Sequence, residues 1–84
     1  MSTNLYVGNL SFQTSTSQLE GLFADFGEVT SAQVITDRDT GQSRGFGFVE
    51  MKTSEQADSA ISGLDGREID GRNLKVNVAK PRSR

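Results

Sequence analysis

Arg44-Gly45-Phe46-Gly47-Phe48-Val49-Glu50-Met51 is the stretch from which the fold can be read. Its residues alternate with period two, as in a strand whose side chains point to opposite faces in turn. One face carries Gly45, Gly47, Val49 and Met51, and the other carries Arg44, Phe46, Phe48 and Glu50. Burying the second set would gain roughly 1.5–3 kcal/mol for each phenylalanine. It would also take Arg44 and Glu50 out of water, at several kcal/mol per ion even after relaxation. The charges therefore decide the register, and two phenylalanines are left on an exposed sheet face. Adjacent exposed rings on one strand need a use, and a stacking surface for unpaired nucleobases is one.

Toward the N-terminus, Asn4-Leu5-Tyr6-Val7-Gly8-Asn9-Leu10 alternates in the same way, with Leu5 and Val7 inward and Asn4 and Tyr6 outward. A solitary exposed tyrosine is an ordinary surface residue. Beside Phe46 and Phe48 it becomes a third ring of one surface. Ser11 to Thr16 is a polar connection in which Phe12 reads as a plug for the core. Ser15 or Thr16 can cap a helix whose apolar face is Leu19, Leu22, Phe23 and Phe26, with Gly27 as its stop. Gly21 lies off that face, at a cost of about 1 kcal/mol that nothing in the pattern explains. Val29 to Thr36 reads as a weaker strand with Ala32 and Val34 inward, leaving Gln33 and Ile35 on the side of the rings. The loop Asp37 to Ser43 is either a solvated hairpin turn or an arm that brings Arg38 over a ligand. It is not a calcium loop, since Phe48 stands where an EF-hand needs its last glutamate.

Toward the C-terminus, Thr53 opens a second helix, and Gln56 three residues on completes a capping box. Ala57, Ala60, Ile61 and Leu64 form its inner face, the alanines allowing close approach to a sheet. Asp65-Gly66 and Asp70-Gly71 bracket a short hairpin or irregular crossing. Leu74, Val76 and Val78 then alternate against Lys75 and Asn77, a last strand with its polar side toward the rings. Lys80-Pro81-Arg82-Ser83-Arg84 is a basic tail, a solubilising end or a phosphate contact beside that surface.

With 84 residues and one hydrophobic rhythm, the chain is expected to be a single domain with a folded core of about 4–80 and a tail over 81–84. It contains no cysteine and no histidine, which removes disulfides, thiolate zinc sites, the usual proton shuttles and most transition-metal ligands. No cofactor or metal is expected. No apolar run is long enough to span a bilayer, and the start lacks a signal peptide's basic and apolar regions. A soluble, cytoplasmic monomer is the expectation. The formal charge of -2 has the wrong sign for binding nucleic acid through bulk electrostatics. Its distribution qualifies that, because both helical segments carry only acids (Glu20, Asp25; Glu55, Asp58), while Arg44, Lys75, Lys80, Arg82 and Arg84 lie on strands or in the tail. Affinity should rest more on stacking than on phosphate contacts.

The order strand, helix, strand, strand, helix, strand is the split βαβ arrangement, an α+β ferredoxin-like fold. A four-stranded antiparallel sheet with two helices on one face leaves the other face open to solvent. Arg44 to Met51 fits the principal signature of the RNA recognition motif at seven of eight positions, with Met51 where Phe or Tyr is usual. Leu5 to Leu10 resembles the shorter second signature, and the chain from Asn4 to about Lys80 resembles one such motif as a whole. It is similar to small single-motif bacterial and organellar proteins and to the front half of glycine-rich RNA-binding proteins.

The resemblance implies a sheet ordered last strand, first, third, second. It implies that Tyr6 and Phe48 stack two successive bases, that Phe46 packs between their sugars and that Arg44 meets a phosphate. Gln33, Ile35, Lys75 and Asn77 would edge the surface, with backbone contacts around Ala79 and Lys80. Asn4, outward on the strand of Tyr6, and Arg82 in the basic tail are further candidate contacts by their own position. The implied partner is single-stranded RNA, with a role in post-transcriptional RNA regulation or RNA chaperoning. Single-stranded DNA stays open, because stacking does not read the 2′-hydroxyl. A protein-interaction module on the same fold is the rival from another class. An enzyme is not expected: Ser11 to Ser17 holds no arginine for a phosphate, and Gly45-Phe46-Gly47 lacks the third glycine of a dinucleotide fingerprint.

Overall fold

The computed structural model describes residues 3–69 and 71–79. Its elements run β1 (Asn4–Gly8), α1 (Thr16–Ala24), β2 (Val29–Thr36), β3 (Ser43–Met51), α2 (Ser54–Leu64), β4 (Glu68–Ile69), β5 (Arg72–Asn73) and β6 (Lys75–Val78). β2, β3, β1 and β6 form one antiparallel sheet in that order, which is the order that the resemblance implied. The short β4 and β5 pair separately as the hairpin expected near the two Asp-Gly pairs.

The inward residues of the strands and the apolar faces of both helices make one core. Leu5, Val7, Val34, Val49, Met51 and Val76 meet Leu19, Phe23, Ala57, Ala60 and Leu64 there, all buried. Met51 fills core volume, as its inward register required. Gly47 admits no side chain: a β-carbon on it would lie 2.5 Å from the Gln33 carbonyl oxygen and 3.2 Å from Leu19 Cδ2. This close approach of α1 and β2 to β3 explains the second glycine of the Gly-Phe-Gly run.

Ser15 caps α1 with a full capping box, its side chain accepting from Gln18 N–H while Gln18 accepts from Ser15 N–H at 2.9 Å. Only half of the box expected at α2 forms. Thr53 Oγ1 accepts from Gln56 N–H at 3.1 Å, but Gln56 Oε1 turns to Glu28 N–H at 3.0 Å. A tertiary donor thus takes the side chain, and it ties α2 to the segment entering β2.

Two further expectations are corrected. β1 ends at Gly8 and not at Leu10, because Asn9 takes a left-handed conformation (φ 60°). Leu10 is still buried, its N–H donating to the Gly45 carbonyl at 2.8 Å. Phe12 is no core plug. It is 59% exposed, and the buried apolar residue of this segment is Leu10, which belongs to the core.

Candidate nucleic-acid interface

The sheet face opposite the helices presents the three rings. Pairing places Tyr6 directly across from Phe48 on one side and from Asn77 on the other, and Phe48 across from Gln33. One row therefore reads Gln33, Phe48, Tyr6, Asn77 across four strands. Ring centroids lie 5.9 Å apart for Tyr6 and Phe48, 6.0 Å for Tyr6 and Phe46 and 6.3 Å for Phe46 and Phe48. The tilted and edge-on angles among them are those aromatic rings favour. Tyr6 is 37% and Phe48 41% exposed, and Phe46 is half-buried between its neighbours. The rings thus support one another while leaving surface free.

Sequence reasoning overlooked Gly8, which shapes this surface. A β-carbon there would stand 2.7 Å from Tyr6 Oη and 2.9 Å from its Cε2, so the tyrosine ring lies down across the glycine. The signal was available: residues two apart on a strand share a face. Gly8 and Tyr6 are such a pair.

Asn4, Lys75 and Asn77 are exposed along the same face, Lys75 opposite Gly8 and Asn4 opposite Glu50, and Arg44 is exposed near the start of β3, next to Gly45 with its left-handed φ of 87°. Gln33 is exposed and Ile35 half-buried on β2, the latter at a register shift of the ladder. Lys80 and Arg82 fall outside the described residues. The acids of the helical segments, Glu20, Asp25, Glu55 and Asp58, are exposed on the elements behind the sheet. The face with the rings sets Lys75 against Glu50, with Arg44 exposed near the start of β3. The Lys52–Glu28 contact at 3.7 Å is exposed at both ends and contributes little.

Residues 5–75 match the RNA recognition motif. The chain belongs to that family. It is 52% identical over 83 residues to glycine-rich RNA-binding protein 4 of Arabidopsis thaliana mitochondria, covering 99% of this chain and 61% of that protein. It is 54% identical over 78 residues to a Nostoc protein named as an RNA-binding protein, RbpD, covering 93% and 83%. The solved Rna15 RRM with bound RNA (GU) superposes with a TM-score of 0.88 at 27% identity, over 96% of this chain and 86% of that one. Among the first curated relatives, chloroplast and mitochondrial proteins of plants, this RNA recognition motif spans between 26% and 61% of the whole length. No helix among the described residues is long and apolar enough to cross a membrane.

Proposed function

We propose that this domain binds single-stranded RNA by laying bases on Tyr6 and Phe48, with Phe46 packed between the two sugars. What carries this reading is the cluster of three rings within 6.3 Å on an exposed face, while a complete core lies behind it. A soluble domain that needed those rings for stability would have buried them. Each base–ring stack contributes about 1–3 kcal/mol and tolerates any base. Preference must then come from hydrogen bonds at base edges, for which Asn4, Gln33, Lys75 and Asn77 stand at the margin and Ile35 offers an apolar contact. Arg44, and Lys80 and Arg82 beyond the last strand, meet phosphates. Binding without chemistry suits a role in RNA regulation or chaperoning, in the cytoplasm or the equivalent interior of an organelle. Peptide binding is the less favoured reading, because all three ring positions are intact.

Fluorescence anisotropy with short random single-stranded RNA, at low and moderate salt, tests the reading. Phe48→Ala should weaken binding by about 1–3 kcal/mol with a shallow salt slope. Because the ring is 41% exposed, its loss should cost stability about 1–2 kcal/mol, below the roughly 3–5 kcal/mol of a core phenylalanine. No binding by the folded wild-type protein would overturn the proposal. Equal affinity for DNA of the same length would leave the stacking mechanism standing and remove RNA as its specific ligand.

A further inference from the structure

Behind the sheet, α1 and the β4–β5 hairpin leave an open groove of about 330 Å³, lined by Thr14, Gln18, Gly21, Leu22, Asp25 and Ile69. The four from α1 and its end recur at spacings of three, one and three, so they form one stripe of the helix. It runs beside the stripe of Leu19 and Phe23 that enters the core. Leu22 and Ile69 give the groove apolar walls, each half-buried against the core. Gly21 leaves the α1 backbone bare on the same stripe, and a β-carbon there would meet nothing within 4 Å. Packing within the fold does not ask for this glycine, which costs a helix about 1 kcal/mol relative to alanine.

The polar groups of the groove want a partner. Thr14 is only 8% exposed, yet its hydroxyl has no partner among the described residues; its N–H alone is engaged, donating to the Ser11 carbonyl at 3.0 Å. Gln18 Oε1 is taken by Ser15 N–H at 2.9 Å, which leaves Nε2 to donate to a ligand carbonyl. Asp25 caps the C-terminus of α1, where the last turn holds no basic residue. The carbonyl end of a helix and a carboxylate are both negative, so a cation placed there meets two complementary groups at once. The helices agree in sign, with Glu20, Glu55 and Asp58 exposed and no basic residue on either. A phosphate backbone is disfavoured on this side.

We infer that this groove docks a short basic segment of a partner protein, an extended peptide with an apolar side chain next to Lys or Arg. The apolar side chain lies on Leu22 and Ile69 and passes close to the helix at Gly21. The cation meets Asp25 and the end of α1, and peptide polar groups meet Thr14 and Gln18. The volume stands at the lower limit of ligand-sized pockets, about 300–1,000 Å³, which suits one or two side chains of a linear segment and not a folded surface. The groove lies across the sheet from Tyr6, Phe46 and Phe48, so an occupant leaves the rings uncovered. Peptide on one side and nucleic acid on the other are therefore compatible, and the groove does not depend on what the rings bind.

The test is selection from a random-peptide library displayed on phage, with the 84-residue protein as bait, followed by anisotropy with the selected peptides made synthetically. Wild type, Gly21→Gln, Asp25→Asn and Phe48→Ala are compared. Glutamine is a good helix former, so Gly21→Gln keeps α1 while its side chain fills the groove, and an undiminished thermal midpoint checks the fold. The expected peptides share an apolar residue beside Lys or Arg. Gly21→Gln should weaken them by at least about tenfold, as for a displaced apolar anchor. Asp25→Asn should weaken them about two- to fivefold, as for an exposed ion pair, and salt should remove that difference. Phe48→Ala should bind them as wild type does. Selected peptides that lack the pattern, or that bind both groove variants as well as wild type, would overturn the inference. No enrichment over an unrelated bait would overturn it too, and peptides lost by Phe48→Ala would move the contact to the rings and end it equally.

Discussion

Gly8→Ala isolates the one feature of the platform that depends on a missing atom. The new methyl group would stand 2.7 Å from Tyr6 Oη, 2.9 Å from Cε2 and 3.0 Å from Cζ. Ordinary carbon contacts need about 3.5–4.0 Å, so the ring must swing off the sheet by roughly an ångström or change rotamer. Gly8 is absent from the positive-φ glycines, so alanine fits its backbone. Alanine in a strand recovers roughly 0.5–1 kcal/mol relative to glycine, against roughly 0.5–1.5 kcal/mol for an off-rotamer tyrosine. Net stability should move by less than about 1 kcal/mol. Binding should lose much of one stack, within the range of about 1–3 kcal/mol, or about five- to 150-fold. Urea denaturation and RNA anisotropy would be measured for Gly8→Ala, Tyr6→Ala and the double variant. Once Tyr6 is gone the methyl group has nothing to displace, so Gly8→Ala should then cost almost no affinity. Fully additive losses in the double variant would refute the argument, since Gly8 would then act without the tyrosine ring.

Gly21→Ala should stabilise the domain by about 0.5–1 kcal/mol, because the residue is exposed inside α1 and a β-carbon there meets nothing within 4 Å; thermal unfolding checks it, and an unchanged or lower midpoint would mean that Gly21 serves something other than this fold. Asp65 Oδ1 accepts from Val76 N–H at 3.0 Å, which covers a donor on the outer side of the edge strand β6. Asp65→Ala should lower the midpoint by about 4–8 °C, for a hydrogen bond of about 1 kcal/mol in a domain of this size. It should also raise self-association at high concentration, read by light scattering, since an uncovered edge invites pairing.

The ring-bearing face was legible because it follows from parity. Arg44 and Glu50 share a face with Phe46 and Phe48, and the cost of burying charge outweighs the gain from burying rings. Leu5 and Val7 place Tyr6 by the same rule, and Ser15 and Gln18 announce the start of α1 locally. These are short-range regularities, with periods of two and of three to four residues, so the chain states them wherever it folds. Phe12 was misread because local pattern records that a residue is apolar and not which apolar residue of a segment enters the core. Gln56 was misassigned because a capping box competes with donors distant in sequence, here Glu28 N–H, which pattern cannot see.

From its sequence alone this protein had determined its element order, most of its core-facing residues, the placement of Tyr6, Phe46 and Phe48 on the face away from the core, and its resemblance to the RNA recognition motif. Tertiary structure decided which side chains meet across the chain: Tyr6 lying over Gly8, Arg72 over Phe12, Asp65 covering the edge of β6, and Phe26 lying where Gly63 has no side chain. The division has a physical cause. Alternation and burial are averages over a face, which the hydrophobic and charged residues specify by themselves. A particular contact depends on the register of strands paired from distant parts of the chain, and only the assembled sheet sets that.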